Sequence, residues 1–144
     1  MYYTTTKDFK QFSPAKLFFD PGFSVIDVVM VKRAPKNYVL VLKDNTRPNR
    51  NLKVAFGKQL TGPFTNVSNA FTGNFIEGPT TVKIGKDWLI YYDVYQEKKY
   101  GAMKTRDFKT FTDISGEIEV PEGHKHGTIF MTSKKILESL IEKR

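Results

Sequence analysis

The stretch Ile76-Glu77-Gly78-Pro79-Thr80-Thr81-Val82-Lys83-Ile84, followed by Trp88-Leu89-Ile90-Tyr91-Tyr92, decides the fold, because the chain repeats it. Asp27 opens a similar apolar run to Val31, followed by Tyr38-Val39-Leu40-Val41-Leu42. His126 opens a third, Gly127-Thr128-Ile129-Phe130-Met131. Asp27 to Glu77 is 50 residues and Glu77 to His126 is 49. A second repeat runs alongside. Thr6-Lys7-Asp8-Phe9-Lys10-Gln11-Phe12-Ser13 matches Thr105-Arg106-Asp107-Phe108-Lys109-Thr110-Phe111-Thr112 at a spacing of 99 residues.

Residues 24–31, 37–42, 51–56, 79–84 and 88–92 are rich in Val, Ile, Tyr and Phe at strand length. Turn chemistry separates them: Ala34-Pro35-Lys36-Asn37, residues 44–50 with Pro48, Gly62-Pro63 and Gly85-Lys86-Asp87. Several runs are apolar at consecutive positions, as in strands covered on both faces. One helix is expected, at the end. Thr132 or Ser133 caps it, and Ile136, Leu137, Leu140 and Ile141 form one apolar stripe. Three copies at a period near 50, each holding about four short strands, are the signature of a radial β-propeller. A β-sandwich is the alternative, since antiparallel strands at this spacing also suit it. In a propeller the first strand of each blade lines the central channel, so Asp27, Glu77 and His126 are expected to converge there.

The 144 residues hold 20 aromatics, 7 Pro, 10 Gly and no Cys. One domain with a real core fits this length. Forty per cent apolar content excludes a disordered chain, and the absence of cysteine excludes disulfides, thiolate metal sites and thiol nucleophiles. No apolar run is long enough to span a membrane, and Met1-Tyr2-Tyr3-Thr4-Thr5-Thr6-Lys7 has no signal-peptide pattern. The net charge of +8 is spread in ones and twos, as at Lys7, Lys10, Lys32-Arg33 and Lys98-Lys99. That distribution speaks for solvated edges rather than a nucleic-acid or membrane surface.

Residues 17–31, 76–95, 104–115 and 123–140 resemble, in order, the later blades of five-bladed glycosidases. These are the arabinanase-like enzymes of glycoside hydrolase family 43 and its near relatives, among them xylosidases, xylanases and arabinofuranosidases. The resemblance implies an all-β propeller of about two and a half blades with a short C-terminal helix. The expected divisions are a blade edge at 1–16, blades at 17–70 and 71–116, and a last inner strand and helix at 117–144. It implies Glu77 as the general acid, Asp27 as the carboxylate that adjusts the acid's pKa, and His126 as a channel histidine near an ordered water or ion. A donating acid must stay protonated near neutral pH, and a neighbouring carboxylate raises its pKa by repulsion.

The family's general base, in a motif resembling Arg-Asp-Pro, has no counterpart here, for Asp20-Pro21 stands in the wrong place. An inverting enzyme needs that base about 6.5–9.5 Å from the acid. The resemblance therefore implies a glycoside hydrolase-like chain, directed at arabinosyl or xylosyl linkages, that is weak or inactive alone. A non-catalytic carbohydrate-binding or assembly module is the alternative. No cofactor is required, although a structural calcium or other channel ion is compatible with the resemblance. The expected partners are carbohydrate and either a missing N-terminal half or a second copy. Two copies would each complete the other's broken blade, at two and a half blades apiece. Whether the chain is a natural truncation or part of a split gene is left open, as is its location, since relatives are often exported.

Overall fold

In the computed structural model, which describes residues 1–121 and 123–142, ten strands form three antiparallel sheets. β1 (Tyr2–Tyr3) pairs with β2 (Lys16–Leu17), so the first sheet takes in Leu17. β3 (Val25–Ala34), β4 (Asn37–Asp44), β5 (Asn51–Gly57) and β6 (Phe64–Thr65) form a four-stranded meander. β7 (Ile76–Ile84), β8 (Asp87–Val94), β9 (Lys99–Thr105) and β10 (Thr112–Asp113) form a second. These are two full blades and the outer pair of another, a partial β-propeller. α1 (Lys134–Ile141) closes the described chain. The sequence reading does not single out β9, whose Gly101 and Lys104 interrupt the apolar pattern.

β4 shows why its strand is apolar throughout. Val39 and Val41 join Val31, Val54, Ile90 and Phe108 in the core between the two full blades. Leu40 and Leu42 point the other way, to Phe19, Ala55 and Phe64. Successive side chains serve opposite faces, and both faces are covered.

The blades are locked by a turn. Thr105 Oγ1 accepts the Phe108 N–H at 2.9 Å, and Asp107 Oδ1 accepts those of Lys109 and Thr110, each at 2.8 Å. This holds Phe108 in the left-handed region (φ 60°), with its ring fully buried among the valines of the preceding blade. Trp88 meets that ring at 5.6 Å, and Phe111 stacks on Phe71 at 4.1 Å. Arg33 lies over the Phe108 ring and donates to the carbonyls of Arg106 and Asp107.

One expectation fails at the C-terminal end. Residues 127–131 form no strand: the segment runs beside β7, with the Ile129 N–H donating to Thr80 Oγ1 at 3.1 Å. A lone inner strand has no hairpin partner here to ladder with. The helix forms as expected, with Ser133 Oγ accepting the Ile136 N–H, yet it buries no residue. Its apolar stripe therefore faces solvent.

Candidate functional site

Both inner strands carry a β-bulge at the same height. Ile26 pairs with Lys43 and Val29 with Val41, leaving one extra residue on β3. Glu77 pairs with Asp93 and Thr80 with Tyr91, leaving one extra on β7. The residue after each pair is left-handed: Asp27 (φ 48°) and Gly78 (φ 56°). His126 is left-handed too (φ 42°). The ladder thus corrects the alignment read from the sequence. Asp27 corresponds to Gly78, and Glu77 to Ile26, one step away from the 50-residue spacing. A bulge re-aims side chains, and here the two bulges, with the left-handed backbone at His126, turn those of three distant segments toward one point.

One ligand atom from each of Asp27, Glu77 and His126 lies within 4.8 Å of the others. Asp27 Oδ2 accepts the Gly78 N–H at 3.2 Å. Glu77 uses both oxygens: Oε2 receives Lys43 Nζ at 2.8 Å, and Oε1 meets His126 Nε2 at 3.1 Å. The imidazole lies so close over Gly78 that a Cβ there would stand 2.6 Å from its Cδ2, which requires glycine at this position. The three residues singled out in the sequence therefore do converge.

Two partners were not foreseen. Lys43 ends the run Tyr38-Val39-Leu40-Val41-Leu42, and its side chain is only 3% exposed. Asp93 follows Trp88-Leu89-Ile90-Tyr91-Tyr92 and is 1% exposed, with Oδ2 buried and unpaired. Their signal was a charge continuing an apolar strand covered on both faces. Such a group is costly unless paired or neutralised.

The charges reverse one expectation. Partial burial alone would raise the Glu77 pKa, but the hydrogen bond and charge of Lys43, aided by His126, outweigh it and hold the carboxyl below its ordinary range. Asp27 was expected to raise it. That carboxylate instead engages the Gly78 amide, and the ammonium beside Glu77 dominates. The raised pKa belongs to Asp93, pushed up chiefly by burial and further by Glu77, against His126 and Lys125.

Trp88 and Tyr92, aromatic rings that could stack on a sugar, are committed to packing between blades. Tyr95 holds Arg50 Nη1 through its hydroxyl at 3.2 Å and lies 5.4 Å from Lys43 Nζ. Asp20 is exposed, and its Oδ1 accepts the Gly22 N–H in a turn far in character from a base. A channel cation fits poorly. Both Glu77 oxygens are taken, one by His126 and the other by an ammonium that already supplies a compensating positive charge.

A family described as a probable glycosyl hydrolase domain, related to glycoside hydrolase family 43, matches residues 1–138. The chain belongs to that family. No curated protein and no solved structure matches it. Among the described residues of this glycosyl hydrolase domain, no helix is long and apolar enough to cross a membrane.

Proposed function

We propose that this domain engages a saccharide, arabinosyl or xylosyl, at Glu77, Asp27 and His126, and that on its own it binds sugar far better than it cleaves it. The observation that carries this reading is the convergence of two carboxylates and an imidazole within 4.8 Å, in a member of a glycosyl hydrolase family. Carboxylate oxygens, an imidazole and the Tyr95 hydroxyl suit the hydroxyls of a sugar ring. Glu77 is the group suited to protonate a leaving oxygen, and Asp27 fixes the backbone beside it.

Two features keep hydrolysis low. The general base has no counterpart in the sequence. Lys43 also keeps Glu77 ionised, and an ionised carboxylate has no proton to donate. The second feature favours the alternative reading, a carbohydrate-binding module built on a glycosidase scaffold.

Titration with arabino- and xylo-oligosaccharides, followed by NMR at the Gly78 amide and the His126 ring, tests the binding. Shifts at both are expected at millimolar ligand, and their absence would overturn the reading. Lys43→Met separates the two versions. It should raise the Glu77 pKa, measured by carboxyl carbon chemical shift, toward the ordinary 4.5 or above. If an unactivated glycoside is then cleaved once formate is supplied in place of the missing base, the catalytic version stands; if binding persists without cleavage, the binding-module version does.

A further inference from the structure

The loop between β4 and β5 and the turn between β8 and β9 meet at the end of the blades where Glu77 pairs with Asp93. Arg50 closes the loop, and Tyr95 opens the turn. The Arg50 carbonyl accepts the N–H of Ile76, the residue before Glu77, at 2.9 Å. Tyr95 spans the space between Arg50 and the ion pair of Glu77. Its hydroxyl accepts Arg50 Nη1 at 3.2 Å, and its ring lies 5.4 Å from Lys43 Nζ, which holds Glu77. Phe75 meets the Tyr95 ring edge-on at 6.2 Å and fixes its orientation. The arginine therefore stands beside the Glu77 site.

Its partners are too few. Arg33 donates to two backbone carbonyls, Lys43 to Glu77, Lys53 to Asp44 and Arg106 to Asp87. Among the described residues, half-buried Arg50 makes one hydrogen bond, to a neutral phenol, and no ion pair. Its Nε is buried and has no acceptor. The hydroxyl proton of Tyr95 has no acceptor among the described residues either. A guanidinium presents a planar fork of N–H donors, and burying one without an anion is costly. The group that matches this fork is itself planar and anionic, with two oxygens. It is a carboxylate.

The neighbouring charges agree. Asp44 and Glu97, the acids of the loop and the turn, are already paired with Lys53 and Lys99. That leaves Arg47, Arg50 and Lys98 uncompensated among the described residues at this end of the blades.

We propose that the saccharide bound at Glu77 carries a uronic acid, and that Arg50 and Tyr95 form the subsite for its carboxylate. This rests on the reading that Glu77, Asp27 and His126 engage a saccharide. The guanidinium meets the carboxylate through donors that Tyr95 leaves unused, and the Tyr95 O–H donates to one of its oxygens. The neutral arabinosyl or xylosyl unit lies at Glu77 and His126, and the acidic unit is its neighbour on the same saccharide. No bond forms or breaks at this subsite. It selects.

Three ligands test the selection: xylotriose, xylotriose bearing a glucuronosyl branch, and the branched ligand with its carboxyl reduced to an alcohol. Each is titrated into the 144-residue chain and followed by NMR at the Gly78 amide and the Tyr95 ring. The acidic ligand should bind about tenfold more tightly than its reduced twin, the order of one charge-assisted contact. That advantage should shrink as salt is added. The reduced ligand reads the subsite on the unaltered chain, whatever a substitution does to folding. Arg50→Gln should abolish the advantage. Lys86→Gln removes the same charge from the exposed turn at the opposite end of the blade and should leave it intact. Equal binding of the acidic and reduced ligands would overturn the proposal and leave the saccharide reading at Glu77 in place. So would an advantage that survives Arg50→Gln, since it would then belong to the +8 charge of the whole chain. Failure of all three ligands to bind would overturn the reading at Glu77, and this proposal with it.

Discussion

The two full blades share one ladder and carry different chemistry on it. At the inner end, blade one places Ile26 opposite Lys43, and blade two places Glu77 opposite Asp93. At the outer turn, the ladder sets Leu60 of blade one where blade two has Phe108. Leu60 is 60% exposed and Phe108 is fully buried. The backbone fixes where a side chain is delivered, and what it meets there fixes its worth. Lys43 has meaning because blade two delivers Glu77 to the same place. Phe108 has meaning because blade one offers valines beside it.

The largest expected effect tests that second pairing. Phe108→Ala removes a whole ring from the inter-blade core, which costs about 3–5 kcal/mol by analogy with other buried phenylalanines. Leu60→Ala and Phe9→Ala, at the corresponding but open positions, should stay within about 0.5 kcal/mol in a monomeric sample. Urea unfolding at low protein concentration measures all three. Equal losses at Phe108 and Phe9 would break the comparison, because they would show that the turn itself, rather than its socket, holds the stability.

The next effect tests the pairing at the inner end. Glu77→Gln leaves the Lys43 ammonium nearly buried beside a neutral amide, at a cost of about 1–3 kcal/mol at neutral pH. Glu77 is 26% exposed, and water softens the loss. The pH dependence has a fixed sign. The folded pKa of Glu77 lies below the ordinary 4.5, so its stabilisation is present above pH 4.5 and is lost as pH falls through the folded value. The difference in melting temperature between wild type and Glu77→Gln should therefore shrink in acid. A gap constant from pH 7 to pH 3 would refute the ion pair.

Much of this was legible in the sequence, for identifiable reasons. The repeat reveals the blades because each one must present the same apolar faces to its neighbours, so Tyr38–Leu42 and Trp88–Tyr92 had to look alike. Asp27, Glu77 and His126 stood out because each stands at the head of an apolar run that recurs along the chain. The one-residue bulge did not show, since spacing in sequence does not register which residue is left unpaired. Lys43 and Asp93 were hidden for a related reason. Each is the last residue of its run, where a charge reads as the strand's solvated end. Only the ladder shows that these ends sit under the neighbouring inner strand. Residues 127–131 read as an inner strand and form none, because a strand also needs a partner, and the pattern of one segment cannot supply it.

The smallest expected effect is also the one of opposite sign. Asp93 lies across the ladder from Glu77, 1% exposed, with Oδ2 lacking any hydrogen-bond partner. Burial, with the Glu77 charge added, raises its pKa above the ordinary 3.8, while His126 and Lys125 pull the other way without prevailing. A carboxyl whose folded pKa is raised favours the fold most when protonated. Its contribution is fully present below the unfolded value of 3.8 and fades as pH rises through the folded value, above which a buried, poorly partnered charge must be carried. Asp93→Asn keeps the shape and removes that charge. It should stabilise the chain by up to about 1 kcal/mol at neutral pH, the order of relief from one strained polar group, and by little near pH 3.5. Thermal unfolding of both proteins across pH 3.5–7 measures the difference. Next to Glu77→Gln, it asks whether two facing carboxylates respond to pH in opposite directions, because one meets an ammonium and the other meets none at hydrogen-bond distance. If Asp93→Asn proves destabilising at pH 7 and neutral in acid, then Asp93 is a paired carboxylate like Glu77, and the inner ends of the two blades differ less than their sequences imply.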